Sequence, residues 1–116
     1  MGKSILQEKS FAFAIRILKL SDYLYDKKEF VLREQITKSG TSIGANVREG
    51  RNAQGHRDMG SKFSIALKEA DETMYWLELL AATGKISQKE FESMEKDLDE
   101  LISILVASIK TLKKHQ

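Results

Sequence analysis

Apolar residues recur at helical spacing along almost the whole chain and fall into four runs. Residues 5–27 carry two apolar stripes when projected at about 100° per residue. Phe11, Ala14, Ile15, Leu18 and Tyr25 form one stripe, and Leu6, Phe13, Ile17, Leu20 and Leu24 form the other. Glu8, Lys9, Arg16 and Lys19 occupy the remaining wedge. A helix that faces a single core needs one stripe, so two stripes predict burial on two sides. The charged run Asp26–Glu29 reads as a connector.

A second helix is predicted from Val31 to Asn52. Its face of Leu32, Ile36, Gly40, Ile43 and Val47, with Ser39 and Gly50 alongside, is lean in carbon. A glycine inside a helix costs about 1 kcal/mol against alanine. Gly40 and Gly44 therefore predict that another helix passes close by, with a break near Ser39–Gly44 as the alternative. Gly50–Gly55 reads as a turn or a weak continuation.

A third helix is predicted from Arg57 to Thr83. One stripe holds Met59, Phe63, Ala66, Leu67, Ala70, Met74, Leu77 and Ala81; the opposite face holds Ile65, Tyr75, Trp76, Leu79 and Leu80. Gly84 stands where a helix commonly ends. Ser87 and Glu90 have capping-box spacing and start a fourth helix that runs to Lys113. Its single stripe is Phe91, Met94, Leu98, Leu101, Ile102, Leu105, Ile109 and Leu112.

Four helices joined by short links predict an all-α, antiparallel up-down four-helix bundle, with residues 1–116 as one domain. Left exposed, the second stripes of the first and third helices exceed the apolar patch normal for a monomer. They predict a homo-oligomer; the alternative is one broad core that absorbs them.

Composition narrows the chemistry. There is no cysteine, which excludes disulfides, thiolate catalysis and zinc–cysteine sites, and no proline, which argues against a turn-rich β fold. No apolar run resembles a signal peptide, since Ser4–Ser10 is broken by Gln7, Glu8 and Lys9, and none is long enough to span a membrane. A cytoplasmic protein without membrane contact is expected. His56 and His115 lack the i+4 partner of a helical metal pair, and no Gly-rich phosphate loop is present. Neither metal, cofactor, small-molecule substrate nor catalytic residue is expected. An enzyme would need a deep polar pocket with paired titrating groups.

Charge is uneven although the net is only +2. Residues 30–68 carry seven cations and three carboxylates, whereas residues 69–116 carry six and ten. A basic belt attracts phosphate backbones, and arginine suits bidentate phosphate contact. Lys38, Arg48, Arg51, Arg57 and Lys62 are the candidates for nucleic-acid contact. Without interleaved aromatics, the block does not imply base stacking. Gln35, Ser42, Asn46 and Glu49 lie within about 60° of one another at the edge of the second helix's apolar face. They read either as a recognition strip or, preferably, as a hydrogen-bonded seam that fixes register or an oligomer contact. Gly50, Tyr75 and Trp76 are assigned to the same structural or oligomer seam.

The run from Gln35 to Gly50 resembles the signature of a bacterial four-helix-bundle family named for proteins encoded in intervening sequences of large-subunit (23S) ribosomal RNA. That signature reads roughly Gln-x-x-Arg-x-x-x-Ser-Ile-x-x-Asn-Ile-x-Glu-Gly. Here Gln35, Ser42, Ile43, Asn46, Glu49 and Gly50 match, Lys38 replaces the arginine and Val47 the isoleucine. Gly44 stands where many members have proline. Residues 62–77 are similar to the family's third helix.

The resemblance implies ring-shaped homopentamers with a basic surface. One related branch, the accessory variability proteins of diversity-generating retroelements, binds RNA and a reverse transcriptase; those proteins are strongly basic, unlike this chain. The function expected is a non-enzymatic, oligomeric bundle that binds structured RNA, or an RNA–protein complex such as one with a reverse transcriptase-type partner. The alternative is a protein-interaction scaffold that touches no nucleic acid.

Overall fold

Each helix starts and stops where local hydrogen bonding favours it. At residues 4–7 a capping box satisfies two otherwise orphaned amides: the Ser4 hydroxyl accepts from the Gln7 amide (3.1 Å), and the Gln7 side chain accepts from the Ser4 amide (3.3 Å). Ser87 repeats half of that arrangement, its hydroxyl accepting from the Glu90 amide at 3.1 Å. The computed structural model describes residues 4–115. It contains α1 (Ile5–Asp26), α2 (Phe30–Arg51), α3 (His56–Ala82) and α4 (Gln88–Lys113), with no strand among the described residues.

Two helices end in paired reverse bonds of the Schellman type. After α3, Gly84 takes φ +72° while the Lys85 amide donates to the Leu80 carbonyl at 2.8 Å. After α1, the left-handed position (φ 60°) is held by Lys28, and the Glu29 amide donates to the Leu24 carbonyl at 2.9 Å. A side chain at such a position costs on the order of 1 kcal/mol relative to glycine.

Adjacent helices run antiparallel. Ser21 meets Arg33 and Ser10 meets Gly44 across α1 and α2; Ser39 meets Thr73 and Glu49 meets Lys62 across α2 and α3. α2 is continuous through Ser39–Gly44. Its glycines admit the neighbouring helix. A Cβ at Gly40 would stand 2.6–2.9 Å from the Ile17 side chain, and one at Gly44 would stand 3.3 Å from the Ser10 carbonyl oxygen. The core between the helices is mostly aliphatic, with Ile17, Leu24, Ile36, Ile43, Val47, Leu77, Leu80, Leu98 and Leu105 fully buried beside Phe13 and Phe63. Inside it, the Thr73 and Ser39 hydroxyls are 2.9 Å apart.

The two apolar faces of α1 separate cleanly. Leu6, Phe13, Ile17, Leu20 and Leu24 are buried, whereas Phe11 (56%), Ile15 (43%), Leu18 (51%) and Tyr25 (55%) remain exposed. The second face of α3 behaves differently from expectation. Leu80 is fully buried, Trp76 and Leu79 are half-buried, and only Ile65 and Tyr75 are exposed. The physical reason is position: α3 packs against both α2 and α4, so its buried arc is broad. One core absorbs most of α3's second stripe and none of α1's large side chains on that face. No helix among the described residues is long and apolar enough to cross a membrane.

Candidate nucleic-acid interface

The residues expected to contact nucleic acid divide into two groups. Lys38, Arg48, Arg51 and Arg57 are exposed and make no ion pair among the described residues. Lys62 is half-buried, and its ammonium lies 3.0 Å from the Glu49 carboxylate. It therefore ties α3 to α2, and its charge is already partly balanced. Lys38 stands apart from the others: thirteen positions separate it from Arg51, about 20 Å of helix.

The polar strip on α2 is bonded mostly within its own helix. The Ser42 hydroxyl donates to the Lys38 carbonyl (2.7 Å), and the Asn46 amide donates to the Ser42 carbonyl (2.9 Å). Glu49 alone crosses to α3, and Gln35 is exposed. Gly50 lets the Phe63 ring of α3 pack directly on the α2 backbone, because a Cβ there would stand 2.6 Å from that ring. Tyr75 and Trp76 pack edge-on with ring centroids 5.1 Å apart. The Trp76 indole nitrogen and the Thr37 hydroxyl are buried without a hydrogen-bond partner among the described residues.

A groove of about 380 Å³ runs between α1 and α2, with Phe11, Ala14, Gly44 and Ala45 as its apolar walls and Gln7 and Arg48 as polar ones. Among the described residues, no group of three or more His, Asp or Glu side chains is placed to hold a metal ion. The Lys9 ammonium is held above its ordinary range by its hydrogen bond and charge attraction to Glu100.

At one end of the bundle α2 finishes, α3 begins and α4 finishes. A shallow depression brings Arg51 of α2, Phe63 of α3 and Ser108 and Thr111 of α4 together. The His56 and His115 rings lie 5.8 Å apart at the same end. Lys110, Lys113 and Lys114, in and just after the last turn of α4, are exposed here. In a linear count these lysines fall within residues 69–116, where carboxylates outnumber cations. The signal that places them correctly is the near-equal length of α3 and α4 (27 and 26 residues), which returns the end of α4 to the level of the start of α3 and so of the end of α2.

Comparison with known proteins adds the family. The profile described as 23S rRNA-intervening sequence protein matches residues 3–107. A crystal structure of a protein of unknown function from the S23 ribosomal protein family of Bacteroides thetaiotaomicron VPI-5482 is similar in sequence and in fold. The two chains are 48% identical, the match covers 91% of this chain and 99% of that one, and the TM-score is 0.90. Among proteins of curated function, none matches the chain. By profile, identity and fold together, the chain belongs to the 23S rRNA-intervening sequence protein family.

Proposed function

We propose that this chain is a non-enzymatic, cytoplasmic, oligomeric RNA-binding bundle that holds structured RNA, alone or with a protein partner of reverse-transcriptase type, through phosphate contacts. The observation that carries this reading is the set of exposed arginines Arg48, Arg51 and Arg57, none of them ion-paired among the described residues. Exposed guanidinium groups release counterions from a nucleic-acid backbone when they neutralise its phosphates. Assembly rests on the exposed face of Phe11, Ile15, Leu18 and Tyr25, a patch of the kind that subunits bury against one another. A pentameric ring, which the family resemblance implies, would multiply a modest charge per chain into useful avidity.

A filter-binding titration with a structured RNA, together with light scattering, tests the reading. Affinity is expected to fall linearly with the logarithm of salt concentration, and the mass to be a multiple of one chain. No binding at about 50 mM salt, or a flat salt dependence, would overturn RNA binding. A single-copy mass at high concentration would overturn assembly. A second reading, a protein scaffold without nucleic acid, is favoured by one observation: Lys62 is already balanced by Glu49. It predicts the multiple-chain mass with no RNA retention at any salt.

A further inference from the structure

We infer that RNA docks end-on, across the pole of the bundle formed by the C-terminal turns of α2 and α4 and the first turn of α3, and that Lys110, Lys113 and Lys114 are part of that surface. This rests on the RNA-binding reading above and states where on the molecule the backbone lies. Residues 48–62 and 107–115 together hold seven cations and two carboxylates. The other described residues hold eleven cations and fifteen carboxylates. The small net charge of the chain therefore conceals a dipolar molecule, positive at one end and negative over the remainder.

Several features fit this pole to a phosphodiester backbone. Six of its cations, Arg48, Arg51, Arg57, Lys110, Lys113 and Lys114, make no ion pair among the described residues, so no carboxylate has to be displaced. The bundle is 19–24 Å across its short axes, which spans on the order of ten backbone charges of a duplex. Ser108, beside Arg51, adds a neutral hydroxyl of the kind that hydrogen-bonds phosphate oxygens. The first turn of α1 lies at the same end and exposes Ile5 (62%), so a binding test needs a lipid surface as well as RNA. The flank of the bundle offers a worse seat: the exposed side of α4 carries Glu90, Glu92 and Asp99 against Lys89 and Lys96, with Glu100 already held by Lys9, so it has no excess of positive charge.

Two triple variants with the same net charge test the placement. One carries Lys110→Gln, Lys113→Gln and Lys114→Gln at the pole; the other carries Lys19→Gln, Lys68→Gln and Lys96→Gln on the flanks, all six positions being exposed. Each is titrated, with the unaltered protein, against a labelled RNA hairpin over a range of salt, and against anionic phosphatidylserine vesicles. Circular dichroism confirms equal helicity. The pole variant is expected to lose about two to three from the magnitude of the log–log salt slope and to bind at least about ten-fold more weakly, while the flank variant changes the slope by less than about one. Equal losses in both variants, or a larger loss in the flank variant, would overturn the placement and leave the RNA reading standing. Retention on vesicles with no RNA binding by the unaltered protein would overturn both, as would no binding to either probe.

Discussion

The seam between α2 and α3 and the seam between α1 and α4 close the same bundle by different means. Across α2 and α3, Gly50 lies against the Phe63 ring and the Ser39 and Thr73 hydroxyls face each other out of reach of water. Across α1 and α4, the ties are Arg16–Asp97 (2.7 Å) and Lys9–Glu100 (2.6 Å), with side chains 37–53% exposed. A depression of about 280 Å³ walled by Leu20, Tyr23 and Met94 lies along that second seam. Dry contact at van der Waals distance carries stability, whereas exposed ion pairs contribute little because water and salt screen them. The bundle is thus held by a chain of neighbours, α1 on α2, α2 on α3 and α3 on α4, and only lightly latched where the ends of that chain meet.

That difference is open to direct attack. The largest effect is expected from Gly50→Val, which forces the Phe63 ring and the two helices apart; chemical denaturation should show a loss of about 2–3 kcal/mol. Next comes Thr73→Val, which takes away the donor to the Ser39 hydroxyl and leaves that hydroxyl only its long 3.5 Å bond to the Ile36 carbonyl; it should lower stability by about 1–2 kcal/mol by the same measurement. Adding Ser39→Ala to it should return part of the loss, since both polar groups are then gone. Outside either seam, Lys28→Gly relieves the left-handed backbone after α1 and should raise stability by about 0.5–1 kcal/mol. The smallest effect belongs to the latch: Asp97→Asn should cost below about 1 kcal/mol, and in 1 M salt the difference from the unaltered protein should vanish. A cost for Asp97→Asn equal to that of Thr73→Val would erase the distinction between the seams.

Much of the fold is legible in the residues themselves. The single stripe of α4, the stop at Gly84 and the cap at Ser87 follow from local chemistry, and the helix limits agree to within a residue. The separation of α1 into a buried and an exposed face is equally plain, because that helix packs closely against α2 alone and its buried arc is narrow. Leu80 shows where periodicity runs out. Its angle on the helix is the same whether α3 has one packed neighbour or two, and only the assembled bundle says that it has two. The Ser39–Thr73 pair is similarly hidden, since two hydroxyls distant in sequence give no sign of meeting.

The candidate interface is less legible than the fold. Arg48, Arg51 and Arg57 stand out in a linear reading because they cluster along the chain. Lys110, Lys113 and Lys114 do not, because the acidic half of their own helix outweighs them in any running sum. Charge acts through space, and the antiparallel return of α4, 26 residues long, brings its last turn beside Arg51 from the middle of the sequence.

The open latch also bears on how the molecule forms. Connectors of three to five residues join helices that pack chiefly on their chain neighbours. Few contacts must wait for distant parts of the chain to find each other, so the entropy lost before the first native pairs appear is small. Acquisition of the native state should then proceed hairpin by hairpin, on the microsecond-to-millisecond scale of local topologies. α1 and α2 would already be paired while the last helix is still being synthesised.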